Sequence, residues 1–122
     1  MRLTKKPLLS AASDGTGPDA ALANGEHAVA IEHGALWRVD DATQTWVKVP
    51  SPGFACDCWM TADQPDTIWI ADLGAARVLH VDLATGSVDR SVHVARPTGV
   101  AVGFGKVWIA DQTTKSVLVL SD

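Results

Sequence analysis

The sequence predicts an all-β domain made of repeated four-stranded antiparallel units, and three observations carry that prediction. The chain repeats itself: Val78-Leu79-His80-Val81-Asp82-Leu83-Ala84-Thr85-Gly86 restates Leu36-Trp37-Arg38-Val39-Asp40-Asp41-Ala42-Thr43-Gln44, with Asp82 lying 42 residues after Asp40. Ile68-Trp69-Ile70-Ala71-Asp72 returns as Val107-Trp108-Ile109-Ala110-Asp111, 39 residues on. The segments involved are short runs of Val, Ile and Trp bounded by Gly, Pro and Asp, with no helical period anywhere. A period of about 40 residues built from short strands is the mark of a propeller blade. The expected architecture is a partial β-propeller of about three blades, residues 27–52, 53–96 and 97–122, behind an N-terminal strand or linker segment, residues 1–26.

Taken in order, residues 10–26 are small, polar and rich in breakers, so 10–25 is expected to be irregular. Residues 3–9 are expected either to pair as a strand or to stay disordered. In the first unit, strands are predicted over 29–32, 36–39 and 46–49, and Pro50 and Pro52 end it because proline cannot donate to a ladder. The second unit has strands predicted over 54–60, 68–71, 78–81 and 88–94, with an insertion over 61–66. Its Asp82–Ser87 turn supplies the Asp and Gly that a hairpin needs for positive φ. The third unit offers strands over 99–102, 107–110 and 117–120, one short of a blade.

Composition excludes several classes. Hydrophobic residues make up 47% and charged ones 20%, which is not a disordered chain. Ten Lys and Arg against 14 acids leave a net charge of −4. Without a basic face there is no footprint for nucleic acid. The start resembles a signal peptide, but its apolar run breaks after Leu9, and no stretch approaches a membrane span. The expectation is a soluble, cytoplasmic protein, or an extracellular one if the chain is a piece of an exported parent.

Gly99-Val100-Ala101-Val102-Gly103-Phe104-Gly105-Lys106-Val107-Trp108-Ile109-Ala110-Asp111-Gln112 resembles the blade signature of the NHL, YVTN and streptogramin-lyase-like propellers. In those families a Gly-hydrophobic-Ala-hydrophobic strand precedes a hydrophobic-Trp-hydrophobic-Ala/Thr-Asp strand. Ile68–Asp72 with Val78–Gly86 resembles the rest of the same blade, so the likeness covers roughly residues 28–122. It implies the fold strongly and the activity weakly, because such folds host lyases, lactonases and binding modules alike. The Asn-His-Leu triplet of the first family is absent; Ala76-Arg77-Val78 stands where it would fall.

Glu32, Asp72 and Asp111 fall at the matching place in all three units, just after the strand that counts as the second when the blades are aligned. Acids at equivalent blade positions could converge on the axis and hold Ca²⁺ or Mg²⁺. The preferred reading is local: a strand-end acid accepts backbone hydrogen bonds from the following turn, and no cofactor is expected. Cys56-Asp57-Cys58 could hold a soft metal, but two thiols are not a ligand set, and neighbouring cysteines rarely form a relaxed disulfide. They read instead as small buried hydrophobes. Glu26-His27 and Glu32-His33 are adjacent pairs, not at the two-residue spacing that would place both side chains on one strand face. His80 and His93 have polar or strand-surface contexts without an adjacent acid, so all four read as isolated surface histidines.

Trp69 and Trp108 share a blade position, which argues for packing between blades, and Trp37 aligns with the core position of Leu79. Trp59, with Asp57 nearby, is the candidate ligand contact. The function expected is a non-enzymatic repeat module that binds a protein or small ligand, self-associating or completed by blades of a longer chain. The alternative is a metal-dependent lyase or lactonase of the streptogramin-lyase or gluconolactonase type. Closed propellers need at least about four blades. An open fan of three therefore leaves residues 117–120 as an unpaired edge that invites a homo-oligomer.

Overall fold

A computed structural model describes residues 20–24, 27–40, 42–64 and 66–120. Among them, three antiparallel sheets follow one another along the chain. Blade one holds β1 (Ala20–Asn24), β2 (His27–Glu32), β3 (Ala35–Asp40) and β4 (Thr45–Val49) in that order. Blade two holds β5 (Cys58–Ala62), β6 (Thr67–Asp72), β7 (Arg77–Asp82) and β8 (Val88–His93). Blade three holds β9 (Pro97–Gly103), β10 (Lys106–Asp111) and β11 (Ser116–Leu120). The all-β partial propeller stands, and the first strands of the blades adjoin, β5 lying against both β1 and β9.

β1 corrects the expectation of an irregular segment across 10–25. Its sequence, Ala-Ala-Leu-Ala-Asn, has little strand propensity, but it pairs in register with β2, Ala21 opposite Ala30. Sheet pairing decides the matter, as it commonly does for strands. Residues 1–19, and with them the expectation for 3–9, lie outside the described residues. β5 is also displaced: the predicted strand over 54–60 begins only at Cys58 and runs through Ala62. The reason is a left-handed turn at Cys56 (φ 71°) and Asp57 (φ 53°), a conformation that non-glycine residues rarely take.

One turn serves four hairpins. Asp40 Oδ1 accepts the amides of Ala42 and Thr43, at 2.9 and 3.2 Å, and Gln44 then turns left-handed. Asp82 does the same for Ala84 and Thr85, at 2.8 and 3.3 Å, with Gly86 in the left-handed place. Asp72 with Ala76, and Asp111 with Lys115, repeat it on the second hairpin of their blades. Gly86 admits no side chain, because a Cβ there would sit 1.4 Å from the Pro50 carbonyl oxygen.

Among the described residues, the core lies in two seams. Between blades one and two, Val29, Ile31, Leu36 and Val49 pack with Ile68, Ile70, Leu79, Val81 and the connector residues Phe54, Cys56 and Cys58. Between blades two and three, Trp69, Ala71, Val78 and Val94 meet Val107 and Ile109. β6 serves both seams with alternate residues, which explains its unbroken apolar run Ile68-Trp69-Ile70-Ala71. β10 is covered on one face only, and its burial alternates accordingly. Trp69 and Trp108 occupy the same place in β6 and β10, but Trp69 is buried by blade three whereas Trp108 is half-buried on blade three's outward face. Trp37 is likewise half-buried: it pairs with Ala30 on the outer face of blade one, not in a seam.

Candidate functional site

The seam between blades two and three opens into a cleft of about 390 Å³ whose lining includes Asp63, Trp69, His80, Asp89, Arg90 and Lys106. Its centre is His80 on β7. The ring lies 4.6 Å from the Trp69 ring, tilted by 37°. Nδ1 is 2.6 Å from Asp89 Oδ1, and Nε2 is 3.1 Å from Asp63 Oδ2. Trp69 Nε1 donates to that same Asp63 oxygen at 3.2 Å, and the Arg90 guanidinium sits 5.5 Å from the Trp69 ring centre.

Two irregularities put these groups together. The β7–β8 register slips between His80 and Val81: His80 faces Arg90 while Val81 faces Val88, leaving Asp89 as the extra residue. Such a bulge re-aims a side chain, here onto the imidazole. Asp63 reaches the ring from the tight β5–β6 turn, closed by Asp63 N to Thr67 O and Thr67 N to Gln64 O, both 3.2 Å. His80 is therefore no isolated surface histidine, as the sequence suggested. Acids stand near both its nitrogens, with the short contact on the Nδ1 side, to Asp89. The hairpin spacing from His80 to Asp89 was the available signal, but the slip that brings them together was not readable.

The three strand-end acids do not meet. Asp72, fully buried, accepts the amides of Ala55 (3.0 Å), Cys56 (2.9 Å) and Ala75 (3.3 Å), with Arg77 Nε 3.6 Å away. Asp111 accepts Arg96 N at 3.3 Å, Thr113 N at 3.1 Å and the Thr114 hydroxyl at 3.0 Å. Burial pushes the Asp111 carboxyl up, but the hydrogen bonds from the Thr114 hydroxyl and the backbone of Thr113, Arg96 and Thr114 prevail. They hold it below its ordinary value of 3.8. Glu32 is buried with Oε1 3.5 Å from His33 Nε2 and no hydrogen bond to that oxygen. Among the described residues, no three of His, Cys, Asp and Glu gather where one metal ion could be held.

Trp59 and Asp57 are both exposed, at and just before the start of β5, while Cys56 and Cys58 point into the seam. The described residues include no helix long and apolar enough to cross a membrane.

No protein-family model matches the chain, and no curated protein matches it in sequence. Solved structures do match in fold. A catalytically inactive virginiamycin B lyase from Staphylococcus aureus, crystallised with quinupristin, superposes with a TM-score of 0.68 at 13% identity, over 90% of this chain and 43% of that one. The selenomethionine form of the same lyase gives 0.58 at 13% identity, over 91% and 43%. The extracellular domain of a one-component system from B. thetaiotaomicron gives 0.58 at 16% identity, over 75% of this chain and 13% of that one. The chain thus spans less than half the length of each. The likeness is one of fold, and in fold the chain is a partial β-propeller like the streptogramin lyases.

Proposed function

We propose that the chain is a non-catalytic propeller module that works by assembly. Its blades are completed into a ring by blades of the same construction, in the first instance those of a second copy, and the ring binds a protein or small ligand. One observation carries this reading. Blade three's outward face repeats the surface that blade two buries: Trp108 and Ala110 stand where Trp69 and Ala71 stand, and Val117 where Val78 does. On blade two that surface is sealed by Val107 and Ile109. On blade three, Val117 is 62% and Val119 46% exposed, and β11 has an unpaired edge among the described residues. Exposed apolar faces with open strand edges mark association surfaces. The exposed Trp59, with Asp57, is the ligand contact assigned to the assembled face.

Light scattering on the purified chain tests the proposal. A dimer that the double substitution Val117→Lys, Val119→Lys converts to monomer is the expected result. A wild-type monomer at high concentration with slow amide exchange along β11 would refute it. A lyase activity like that of the Staphylococcus protein is the other reading. It finds less support, because Asp72 and Asp111 are engaged by backbone amides of their turns and of the connectors.

A further inference from the structure

The connector between blades one and two carries two thiols in an arrangement that packing alone does not require. Cys58 Sγ donates to Cys56 Sγ at 2.6 Å, so the two thiols are in direct contact. They meet because Cys56 and Asp57 are consecutive left-handed residues, which fold the chain back between the two side chains. An extended strand would set them on one face but leave them spread along it.

The turn is held from outside. Asp72 accepts the Ala55 and Cys56 amides, Gly74 N donates to Cys56 O at 2.8 Å, and Leu73 N donates to Asp57 O at 3.2 Å. Arg77 donates to Gly53 O at 2.6 Å, and Phe54 N to Gly34 O at 2.9 Å. A Cβ on Gly74 would lie 2.7 Å from Cys56 O, so that approach depends on glycine. The connector that carries the cysteines is thus held by the β2–β3 and β6–β7 turns.

We infer that Cys56 and Cys58 form a modification site: a dithiol that closes reversibly into an intramolecular disulfide within the seam. The oxidant is a low-molecular-weight disulfide. One cysteine thiolate attacks it, forming a mixed disulfide and releasing one small thiol. The second cysteine then attacks the protein-side sulfur and releases the other. The protein pair loses two electrons and two protons, and the small disulfide is reduced to two thiols. A ring closed over one intervening residue is strained, which makes the bond a readily reducible one, and the preformed turn favours its formation in the folded state. Each cysteine keeps 7% exposure beside the exposed Ala55 and Asp57, so the oxidant approaches from the connector's outer side.

The test equilibrates the full chain in glutathione buffers of graded ratio, once folded and once unfolded in urea, followed by acid quench, alkylation and mass spectrometry. Expected is a single chain lighter by two hydrogen atoms with no alkylated cysteine. Its half-oxidation in the folded state should need at least about tenfold less oxidised glutathione than in urea, a shift of about 30 mV. Cys56→Ser should accumulate glutathione on Cys58, which the wild type does not. Equal midpoints in both states, a wild type carrying glutathione like the variant, or chains linked to one another would each overturn the inference.

Discussion

The two seams are built to one plan and finished differently. Between blades one and two, aliphatic side chains interlock with Phe54, Cys56 and Cys58, and the connector is tied to a turn of each blade through Gly34 and Gly74. Between blades two and three the connector keeps the same Asp-to-amide contact, Asp111 to Arg96, and adds a clasp from the Arg96 guanidinium to Gln112 Oε1 at 3.2–3.3 Å. There the packing surface includes Trp69, buried against Val107 and Ile109, and the cleft with His80 opens beside its ring. The lesson is that one repeat can line its seams differently: the matching position is Val29 in blade one and Trp69 in blade two. The recess beside Trp69 is about 390 Å³, against about 200 Å³ for the one between Arg38 and Leu83 in the first seam.

The sharpest way to break this comparison is to hollow each seam. Ile70→Ala removes a fully buried side chain from the first seam and should cost about 2–5 kcal/mol in urea denaturation. Ile109→Ala, in a blade covered on one face, should fall at the low end of that range. Equal losses would mean that the two seams are equally close-packed.

A smaller effect is expected from the strand-end acids. Asp72→Ala strips the acceptor from three amides and should cost about 2–3 kcal/mol, with Asp72→Asn recovering part of it. Asp111→Ala should cost less, because its loop is packed from one side. If Asp111→Ala proves the more damaging, the second seam is the stronger one.

His80→Ala tests the recess itself. Removing the imidazole should cost about 1 kcal/mol, since Asp89 is 66% exposed and water can replace much of its contact. The same change should shift Trp69 fluorescence, while Arg96→Ala, outside the cleft, should not. An unmoved emission would show that His80 does not shape the cleft.

The least effect is in pH. Asp111 titrates lower when folded than unfolded, so its ionised form stabilises the fold. That contribution is complete above about pH 3.8 and is lost as pH falls through the lower folded value. Stability measured in acid should fall less steeply in Asp111→Asn than in the wild type. Equal slopes would remove the link between this carboxyl and the second seam.

Much of the fold was legible because blades repeat. The Asp40–Gln44 and Asp82–Gly86 echoes proved to be the same turn, bond for bond, and nine of the predicted strands appear within a few residues of their bounds. The candidate site was less legible. Asp89 meets His80 through a register slip, and Cys56 meets Cys58 through two left-handed residues, features that depend on cross-strand pairing and on Asp72 lying across the connector. β1 was hidden for the same reason, since its alanines carry no strand signal until β2 is beside them.

What the amino-acid order determined by itself is whatever recurs with a local period: alternation, Asp-led turns, and an acid ending the second strand of each blade. These act over a few residues, where side-chain chemistry meets its own backbone. Only the tertiary structure decided which faces are sealed, which histidine is braced and which sulfurs touch. Those are contacts between residues far apart in sequence or bent together from outside, and their energies exist only once neighbouring blades have packed.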